Sequence, residues 1–424
     1  MKKNILVFPC GSEIALEIYK SLKYSIHYNL IGASSVDDHG RFVYENYIGN
    51  LPYITDANFI NVIRKIVSEY NIDAIYPAMD SVIALLKNNE EQIGCKIISP
   101  IKNTVNLCLS KKKTYDKLRH IISVPKLYKY DEVDSFPVFC KLNIGYGSRG
   151  AKKIDSLDSL KEYASTHNDF LICEYLPGEE YTVDCFTDRY GQLLFCAPRI
   201  RKRVMNGISV DTIPYNDNEK EFLNIIKKIN NTIDMRGAWF AQFKRADNGE
   251  LFLLEIAARF AGSSSLFRGC GINLAQLTLF DAFDKDVYII RNKYNIEMDR
   301  ALDNVFKIDL KYNEAFIDFD DCLVIDRNKV NTQLVSFIYQ CRNNNVKVSL
   351  LSRHEGDIDK QLEKLRINTI FDRVIHLKNK EKKSSYVDNE NAIFIDDSFA
   401  ERKDVFDNCH IPVFGVDMVE MLLK

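Results

Sequence analysis

The sequence predicts an α/β protein of three consecutive domains, and three observations support this prediction. Short apolar runs rich in β-branched residues alternate with helix-period stretches along most of the chain, which is typical of α/β architecture. The chain has 424 residues, which at about 100–200 residues per domain provides for two to four domains. A composition of 46% hydrophobic and 27% charged residues is that of a protein able to form apolar cores.

Charge, hydropathy and cysteine content exclude several classes of protein. The formal net charge of −2 gives no reason to expect a nucleic-acid partner or a membrane surface. No apolar run approaches the length of about 18 residues that a transmembrane helix needs, and the first residues do not resemble a signal peptide. The cysteines are scattered without a C-x-x-C pair, which argues against a disulfide framework or a zinc site. We therefore expect a cytoplasmic protein.

Residues 1–103 are predicted to form a Rossmann-like domain. The apolar run at residues 5–8 predicts a buried strand and residues 13–23 a helix; a helix at 58–70 and a strand at 74–76 follow. Parallel strands joined in this way gather their loops at one edge of the sheet. Only Gly11 lies in the first strand–helix turn, so no dinucleotide cofactor is expected. Asp80 is expected to cap a helix, the alternative being contact with an acceptor substrate.

From about residue 104 to 300 the pattern changes to longer, hairpin-like strands. One strand carries Lys141 and leads into a glycine-rich loop, and Lys111 begins a helix upstream. The loop contains Gly145, Gly147, Ser148 and Gly150. Glycines allow backbone N–H groups to wrap an anion, and a nearby lysine adds positive charge. The loop therefore indicates a phosphate site, with a flexible hairpin turn as the alternative.

Oxygen-bearing side chains follow on neighbouring strands of the same region. A hairpin around residues 247–249 carries Gln242 on one arm and Glu255 on the other, and Arg259 comes four residues after Glu255. Oxygen ligands on adjacent strands, followed by an arginine, suit a Mg²⁺ that holds nucleotide phosphates. A second strand–turn–strand segment carries Glu174 and Glu180 on either side of its turn.

This order of elements resembles the ATP-grasp superfamily, in its carbamoyl-phosphate-synthase-like branch, over about residues 1–285. The resemblance implies an ATP-grasp (α+β) domain at residues 104–300 that uses ATP with Mg²⁺ or Mn²⁺. It implies that Lys111 and Lys141 contact the phosphates and the adenine side of ATP, and that residues 145–150 form the phosphate lid. It further implies that Glu174, Tyr175 and Leu176 form the hinge at adenine and that Glu180 binds the ribose. Gln242 and Glu255 would bind Mg²⁺, and Arg259 would hold the transferring phosphoryl group. Arg201 and Arg203 would contact phosphate or the acceptor carboxylate.

One motif departs from the family pattern. Relatives usually read Glu-x-Asn-Pro-Arg where this chain has alanine at positions 257 and 258. Ala257 cannot bind a metal, so one Mg²⁺ site is expected to be weakened or to be completed by substrate or water. Gln242, where a carboxylate is commoner, weakens the site further. A nucleotide-binding or sensing module is therefore the alternative to a ligase that activates a carboxylate as an acyl phosphate and joins it to an amine.

A polar segment at residues 288–313 is predicted to be a connector, with a boundary near 305–312, and a new strand–helix alternation follows it. Three apolar strands there end in acid or hydroxyl side chains, and one lysine lies between the last two strands. These residues are Asp318 with Asp320, Ser352, Lys383, and Asp396 with Asp397. Acids at the end of a buried strand favour a bound cation. A phosphoryl-transfer pocket is predicted at this sheet edge.

The order of these residues resembles the haloacid dehalogenase (HAD) superfamily of phosphatases over about residues 312–424. The resemblance implies a separate, doubly wound α/β domain with Asp318 as nucleophile, Asp320 as general acid and base, Ser352 and Lys383 as phosphate ligands, and Asp318, Asp320 and Asp396, with Asp397, around Mg²⁺. Cys322 stands where the family prefers threonine. Lys380 and Lys382 stay alternatives to Lys383, because a lysine-rich stretch fixes no register. The spacing leaves no room for a cap domain, so an open pocket is expected.

The two resemblances together imply an ATP-dependent carboxylate–amine ligase fused to a phosphatase that acts on a related phosphorylated intermediate. The expected partners are a small carboxylate, an amine, a phosphorylated small molecule and a second copy of the chain, without nucleic acid or membrane. Two alternatives stay open. The ATP-grasp part is a nucleotide sensor beside a catalytic phosphatase, or the HAD-like part binds its ligand with little turnover.

Overall fold

The structure of the protein is a computed structural model. It describes residues 2–145, 147, 149–205, 207–301, 304–378 and 381–423. In these ranges the strands form five sheets, which we group into an N-terminal, a central and a C-terminal unit. No helix within the described ranges combines the length and the apolar character needed to cross a bilayer.

The N-terminal unit is a parallel sheet with helices. Its strands are β1 (Lys3–Phe8), β2 (Tyr28–Ala33), β3 (Asn46–Ile48), β4 (Ala74–Pro77) and β5 (Lys96–Ile97). Its helices are α1 (Glu13–Leu22), α2 (Gly40–Val43), α3 (Phe59–Glu69), α4 (Asp80–Asn88), α5 (Glu90–Ile93), α6 (Lys102–Leu109) and α7 (Lys111–Leu118). The strand order is β3-β2-β1-β4-β5, and every pair is parallel. The predicted helices at 13–23 and 58–70 are confirmed as α1 and α3.

Local chemistry explains how the first loop ends. The Ser12 side chain accepts a hydrogen bond from the Ala15 N–H at 3.2 Å, so that Ser12 caps α1 directly after β1. Asp80 does not act as the predicted cap of α4, because Met79 occupies the capping position and Asp80 is the first helical residue. Its carboxylate instead reaches the central unit, as described below.

The central unit contains a small and a large antiparallel sheet. The small sheet holds β6 (Leu127–Tyr128), β7 (Val138–Leu142), β8 (Lys152–Ile154) and β9 (Phe170–Glu174), in the order β6-β9-β7-β8, with helix α8 (Leu157–Thr166). The large sheet holds β10 (Glu180–Thr187), β11 (Leu193–Met205), β12 (Ile208–Pro214), β13 (Gly237–Arg245), β14 (Leu251–Ala257), β15 (Asn295–Arg300) and β16 (Asn304–Asp309). Its helices are α9 (Glu219–Asn230), α10 (Ser265–Gly269) and α11 (Leu274–Ala282). The order of the large sheet is β14-β13-β10-β11-β12-β15-β16.

The prediction that residues 288–313 are a connector is wrong for the two strands β15 and β16, which occupy residues 295–300 and 304–309 of that segment. Strand β15 pairs with β12 and β16 pairs with β15, so the large sheet extends to Asp309. Ile296 and Met298 are buried and alternate with polar residues along β15. The two apolar residues were too few to mark a strand in the sequence, but they place one face of β15 in the core.

The C-terminal unit is a second parallel sheet. Its strands are β17 (Glu314–Ile317), β18 (Val324–Ile325), β19 (Lys329–Val330), β20 (Lys347–Ser352), β21 (Arg373–His376), β22 (Ala392–Ile395) and β23 (Val413–Phe414). Its helices are α12 (Thr332–Asn343), α13 (Ile358–Lys364), α14 (Phe399–Cys409) and α15 (Val419–Leu422). The sheet order is β21-β20-β17-β22-β23, and β18 with β19 forms a separate hairpin.

One buried arginine connects all three units. Arg268 in α10 is 1% exposed, and its Nε lies 2.7 Å from a carboxylate oxygen of Glu17 in α1. Its Nη1 donates to the carbonyl of Asp417 at 2.6 Å, and its Nη2 pairs with Glu420 in α15. The C-terminal unit is therefore attached to the other two through a largely buried charged contact.

Candidate functional site

A cavity of about 500 Å³ lies between the N-terminal unit and the two sheets of the central unit. Its wall includes most of the residues that the sequence assigned to ATP, Mg²⁺ and phosphate. These are Lys111, Lys141, Gly147, Glu174, Leu176, Glu180, Gln242, Glu255 and Arg259. Ser148 lies outside the described residues.

Lys141 is held by a buried tyrosine. Its Nζ donates to the Tyr115 hydroxyl at 2.6 Å and to the Leu254 carbonyl at 3.2 Å, and the tyrosine hydroxyl donates to the same carbonyl. Burial lowers the pKa of Lys141 and raises the pKa of Tyr115. The lysine side chain is thus fixed at the cavity wall before any anion binds. Tyr115 was not singled out in the sequence, where it reads as a core residue of the helix.

Lys111 connects the glycine-rich loop to the predicted metal ligand. Its Nζ donates to the Gly145 carbonyl at 3.2 Å and lies 3.6 Å from the Glu255 carboxylate. Ser110 caps the helix that begins at Lys111, because its hydroxyl accepts from the Lys113 N–H. The two predicted phosphate lysines therefore converge on one cavity from different elements.

The four residues assigned to adenine and ribose differ in their surroundings. Glu174 and Leu176 line the cavity, and the Glu174 carboxylate also accepts from the Lys126 N–H at 2.8 Å. Tyr175 is not part of the cavity wall, and its ring lies under the Lys153 ammonium group. Glu180 pairs with Arg201 at 2.6 Å and with Lys244 at 3.1 Å. A ribose hydroxyl at Glu180 would share the carboxylate with these two cations.

The predicted Mg²⁺ ligands lie side by side on paired strands. Gln242 of β13 and Glu255 of β14 are directly opposite in the antiparallel register, so their side chains leave the same face of the sheet. Ala257 follows on β14 and offers no ligand atom. An oxygen pair beside two lysines fits a cation that carries phosphates, with fewer protein ligands than the family pattern supplies.

Arg259 joins the central unit to the N-terminal unit at the cavity. Its Nη2 lies 2.6 Å from the Asp80 carboxylate, which accounts for the role of Asp80 that the sequence left open. Its guanidinium group lies over the Phe240 ring, and its buried Nε has no hydrogen-bond partner among the described residues. An unpartnered N–H in a polar cavity is a free donor for an anion.

The cavity takes Arg199 and Arg201 from β11, but not the predicted Arg203. Arg203 is half exposed and pairs with Asp299 on β15. The register of β11 against β12 shifts between Arg201 and Arg203, and this irregularity breaks the alternation that would place all three arginines on one face. Arg199 is 1% exposed and pairs with Asp184 at 2.7 Å. Arg199 was not singled out in the sequence. Its spacing of two residues from Arg201 could have indicated it, because residues i and i+2 of a strand lie on the same face.

A second polar cluster lies at the carboxyl edge of the C-terminal sheet. Ile317 of β17 and Ile395 of β22 are paired in parallel register, so Asp318 and Asp396 leave the two strands next to each other. Lys383 Nζ lies 2.6 Å from a carboxylate oxygen of each. Lys382 pairs instead with Asp404, and Lys380 lies outside the described residues. Among the described lysines of this stretch, Lys383 is therefore the one that contacts both carboxylates.

The cluster has the composition of a divalent-cation site. Ligand atoms of Asp318, Asp396 and Asp397 all lie within 4.8 Å of one another. Burial, together with the neighbouring carboxylates, raises the pKa of Asp318 and of Asp396, and raises the pKa of Asp397 to about 6. Burial alone would lower the pKa of Lys383, but the two carboxylates outweigh it and raise the pKa. One lysine does not neutralise three carboxylates. A divalent cation would reduce the repulsion that remains between them, so these residues fit Mg²⁺.

Asp320 lies apart from this carboxylate cluster and faces a histidine. Both of its carboxylate oxygens lie 3.0 Å from Nδ1 of His354. The side-chain carboxylates that converge are those of Asp318, Asp396 and Asp397, and the side chain of Asp320 is not part of that group. Ser352 at the end of β20 is buried, and its hydroxyl accepts from the His354 N–H at 3.2 Å. None of the histidines was assigned a role from the sequence.

Comparison with known proteins concerns the ATP-grasp region. Residues 166–302 match a family described as ATP-grasp in the biosynthetic pathway with Ter operon. No curated protein sequence matches this chain.

Solved structures share its architecture. The biotin carboxylase domain of Hydrogenobacter thermophilus 2-oxoglutarate carboxylase, a dimer with MgADP, ADP and bicarbonate, has a TM-score of 0.62 at 15% identity over 71% of this chain and 74% of that chain. N5-carboxyaminoimidazole synthetase from Staphylococcus aureus with ADP has a TM-score of 0.60 at 16% identity, over 71% of this chain and 83% of its own. An L-amino acid ligase from Bacillus licheniformis has a TM-score of 0.58 at 16% identity, over 70% of this chain and 79% of that chain.

These similarities define the class of fold. The chain carries an ATP-grasp fold of mixed α/β type, which confirms the fold predicted for its larger part. At 15–16% identity the likeness concerns the architecture of the chain.

Proposed function

We propose that this protein is an ATP-dependent ligase that activates a carboxylate as an acyl phosphate and joins it to an amine. The observation that carries the proposal is the convergence of Lys111, Lys141, Glu255 and Arg259 on one cavity of about 500 Å³. Two lysines from separate elements, a carboxylate and an arginine with a free donor are the groups that transfer of a phosphoryl group requires.

The proposed reaction has two steps. The γ-phosphoryl group of ATP passes to an oxygen of the acceptor carboxylate, and the bond to the β-phosphate breaks to give ADP. An amine then attacks the acyl carbon, and inorganic phosphate leaves as the amide forms. Lys141 and Lys111 neutralise the phosphates, Arg259 holds the transferring group, and the glycine-rich loop keeps water from the acyl phosphate. Mg²⁺ at Gln242 and Glu255 would supply further charge neutralisation on the phosphate oxygens.

The structural neighbours support the substrate class. One neighbour is named as a ligase of L-amino acids, which are substrates that carry a carboxylate. Another is a domain bound to bicarbonate and MgADP, and ADP is the nucleotide product of the proposed reaction. One of them is described as a dimer, and we extend the proposal to a homodimer, which light scattering of the purified protein tests directly.

A second candidate function is a nucleotide-binding or sensing module. Ala257 favours it, since this position offers no metal ligand, and so does Gln242 in place of a carboxylate. In that case the C-terminal unit would be the only catalyst.

The decisive experiment measures ADP formation over a panel of carboxylates and amines. ADP release that requires both partners supports the ligase, and Glu255→Gln should reduce it by at least about 100-fold. Glu250→Gln is the matched control, because Glu250 is exposed on the same hairpin and outside the cavity. Tight ATP binding without ADP formation for any pair would reject the ligase and leave the sensor.

We further propose that residues 312–424 form a HAD-like, Mg²⁺-dependent phosphatase that acts on a phosphorylated compound related to the ligase reaction. Asp318 attacks phosphorus to give an aspartyl phosphate while Asp320 gives a proton to the departing oxygen. Water then attacks the phosphorus, gives its proton to Asp320 and releases phosphate from Asp318. Ser352 and Lys383 hold the phosphoryl oxygens, and Mg²⁺ at Asp318, Asp396 and Asp397 would offset their charge.

Hydrolysis of p-nitrophenyl phosphate with and without Mg²⁺ tests the phosphatase. Asp318→Asn should lower the rate by more than about 1,000-fold, since it removes the carboxylate that forms the covalent intermediate. Asp326→Asn serves as the matched control, because Asp326 is an exposed aspartate in the turn of the β18–β19 hairpin. Wild-type protein that binds phosphate but does not turn over would make the C-terminal unit a binding module.

A further inference from the structure

The contact between Asp320 and His354 is the strongest feature that neither proposed reaction uses. Nδ1 of His354 lies 3.0 Å from both carboxylate oxygens of Asp320. A carboxylate accepts and does not donate, so this contact is favourable when Nδ1 carries the hydrogen. The equal distances place the N–H between the two oxygens, and the carboxylate plane is thereby fixed against the ring.

The histidine itself is fixed on several sides. Its ring packs edge-on against Phe319, the residue before Asp320, with centroids 5.0 Å apart and planes at 71°. Its backbone N–H donates to the Ser352 hydroxyl, and its backbone carbonyl lies 2.8 Å from Nε2 of His376. The side chain of His354 is only 13% exposed, whereas that of Asp320 is 47% exposed.

The difference in exposure indicates that His354 restrains the side chain of Asp320. An aspartate that is half exposed at a loop, with water as its neighbour, rotates among its rotamers. Fixing it to a rigid, largely buried ring removes that freedom and leaves one carboxylate orientation. The two residues lie 34 positions apart and come from loops that follow β17 and β20, which are neighbours in the sheet.

We propose that His354 is a positioning residue for Asp320 in phosphate-ester hydrolysis. The inference rests on the proposed phosphatase and names the group that prepares its general acid. His354 does not touch the phosphoryl group in this proposal. It directs the Asp320 carboxyl so that the proton passes to the oxygen of the leaving group as the phosphorus–oxygen bond breaks and the bond to Asp318 forms.

A positioning role for the acid predicts a dependence on the leaving group. The oxygen of p-nitrophenolate leaves without much help from a proton, whereas the alkoxide of β-glycerol phosphate leaves only if it is protonated. His354→Phe keeps a ring beside Phe319 but removes the N–H. It should lower kcat for β-glycerol phosphate by about 10- to 100-fold and kcat for p-nitrophenyl phosphate by less than about threefold.

Two further variants separate positioning from a structural effect. The amide N–H of His354→Asn can take the place of Nδ1–H, so this variant should recover most of the rate with β-glycerol phosphate. In an Asp320→Asn background, which has no acid to direct, His354→Phe should cause no further loss. Circular dichroism and thermal unfolding of each variant establish that it is folded.

The outcomes distinguish the inference from the function on which it rests. Equal losses with both esters, no recovery with His354→Asn, or an additive loss in the Asp320→Asn background would overturn the positioning role alone. A wild-type protein without Mg²⁺-dependent hydrolysis of either ester would overturn both the phosphatase and the positioning role. A selective loss that Asn rescues supports both.

Discussion

Replacement of Arg268 tests whether the buried charge at the junction holds the three units together. The Arg268→Met variant keeps much of the side-chain volume but leaves Glu17, which is 3% exposed, without its cation and close to Glu420. Breaking a buried ion pair by removing one partner costs about 3–5 kcal/mol. An unfolding entropy of about 2.1 cal/mol/K per residue gives about 0.9 kcal/mol/K for the chain, so we expect Tm to fall by about 3–6 °C.

The pH dependence of this loss follows from Glu17. Burial raises the pKa of Glu17 in the folded protein above its usual value, and loss of the arginine would raise the pKa further. A carboxyl group whose folded pKa is raised destabilises the fold once it ionises, so the penalty is complete above the folded pKa and is relieved as pH falls below it. The decrease in Tm should therefore be larger near pH 8 than near pH 5.

Differential scanning calorimetry of the wild type and three variants provides the test. Glu17→Gln combined with Arg268→Met should recover at least half of the loss, because the uncompensated charge is then absent. Lys161→Met is the control, since its ion pair with Asp158 is exposed, and should change Tm by less than about 1 °C. An Arg268→Met protein that melts within 1 °C of the wild type near pH 8, or a double variant without recovery, would refute the reasoning.

Three further outcomes are expected. Mg²⁺ should raise Tm of the wild type more near pH 8 than near pH 5, because the raised pKa values of the carboxylate cluster keep protons in competition with the metal at low pH; calorimetry should show little Mg²⁺ effect in Asp318→Asn. Tyr115→Phe should weaken ATP binding about tenfold in titration calorimetry, because Lys141 loses one of two acceptors; unchanged affinity would contradict the role given to the tyrosine. Ala257→Asn restores an oxygen ligand and should tighten Mg·ATP binding by about 1 kcal/mol relative to the control variant Ala258→Asn. Equal affinities of the two variants for Mg·ATP would show that position 257 does not face the metal.

The residues that sequence reasoning placed well are those at the ends of regular elements. Asp318 and Asp396 each follow an apolar strand, and neighbouring parallel strands end at the same edge of a sheet, so their proximity follows from the pattern alone. Lys141 and Gly147 were placed together for a similar reason, because a strand leads directly into its loop. These predictions depend on short-range order and on one rule of sheet geometry.

The residues that it misplaced depend on irregular geometry. Arg203 leaves the cavity face because the strand register shifts beside it, and β15 is a strand although only Ile296 and Met298 mark its buried face. Asp80 reaches Arg259 across 179 positions, which no local pattern encodes. A bulge, a weakly marked strand and a distant ion pair are decided by tertiary packing.

The sequence by itself determined the order of elements apart from β15 and β16, the two groups of chemically suited side chains and the mixed α/β fold class, because periodicity, turn residues and strand-end acids are local properties. Only the tertiary structure decided which of them meet. It chose Lys383 over its neighbour Lys382, placed His354 against Asp320 and buried Arg268 among carboxylates from two other units. Contacts between residues far apart in the chain depend on the angles at which whole elements pack, and those angles are set by the sum of all the packing.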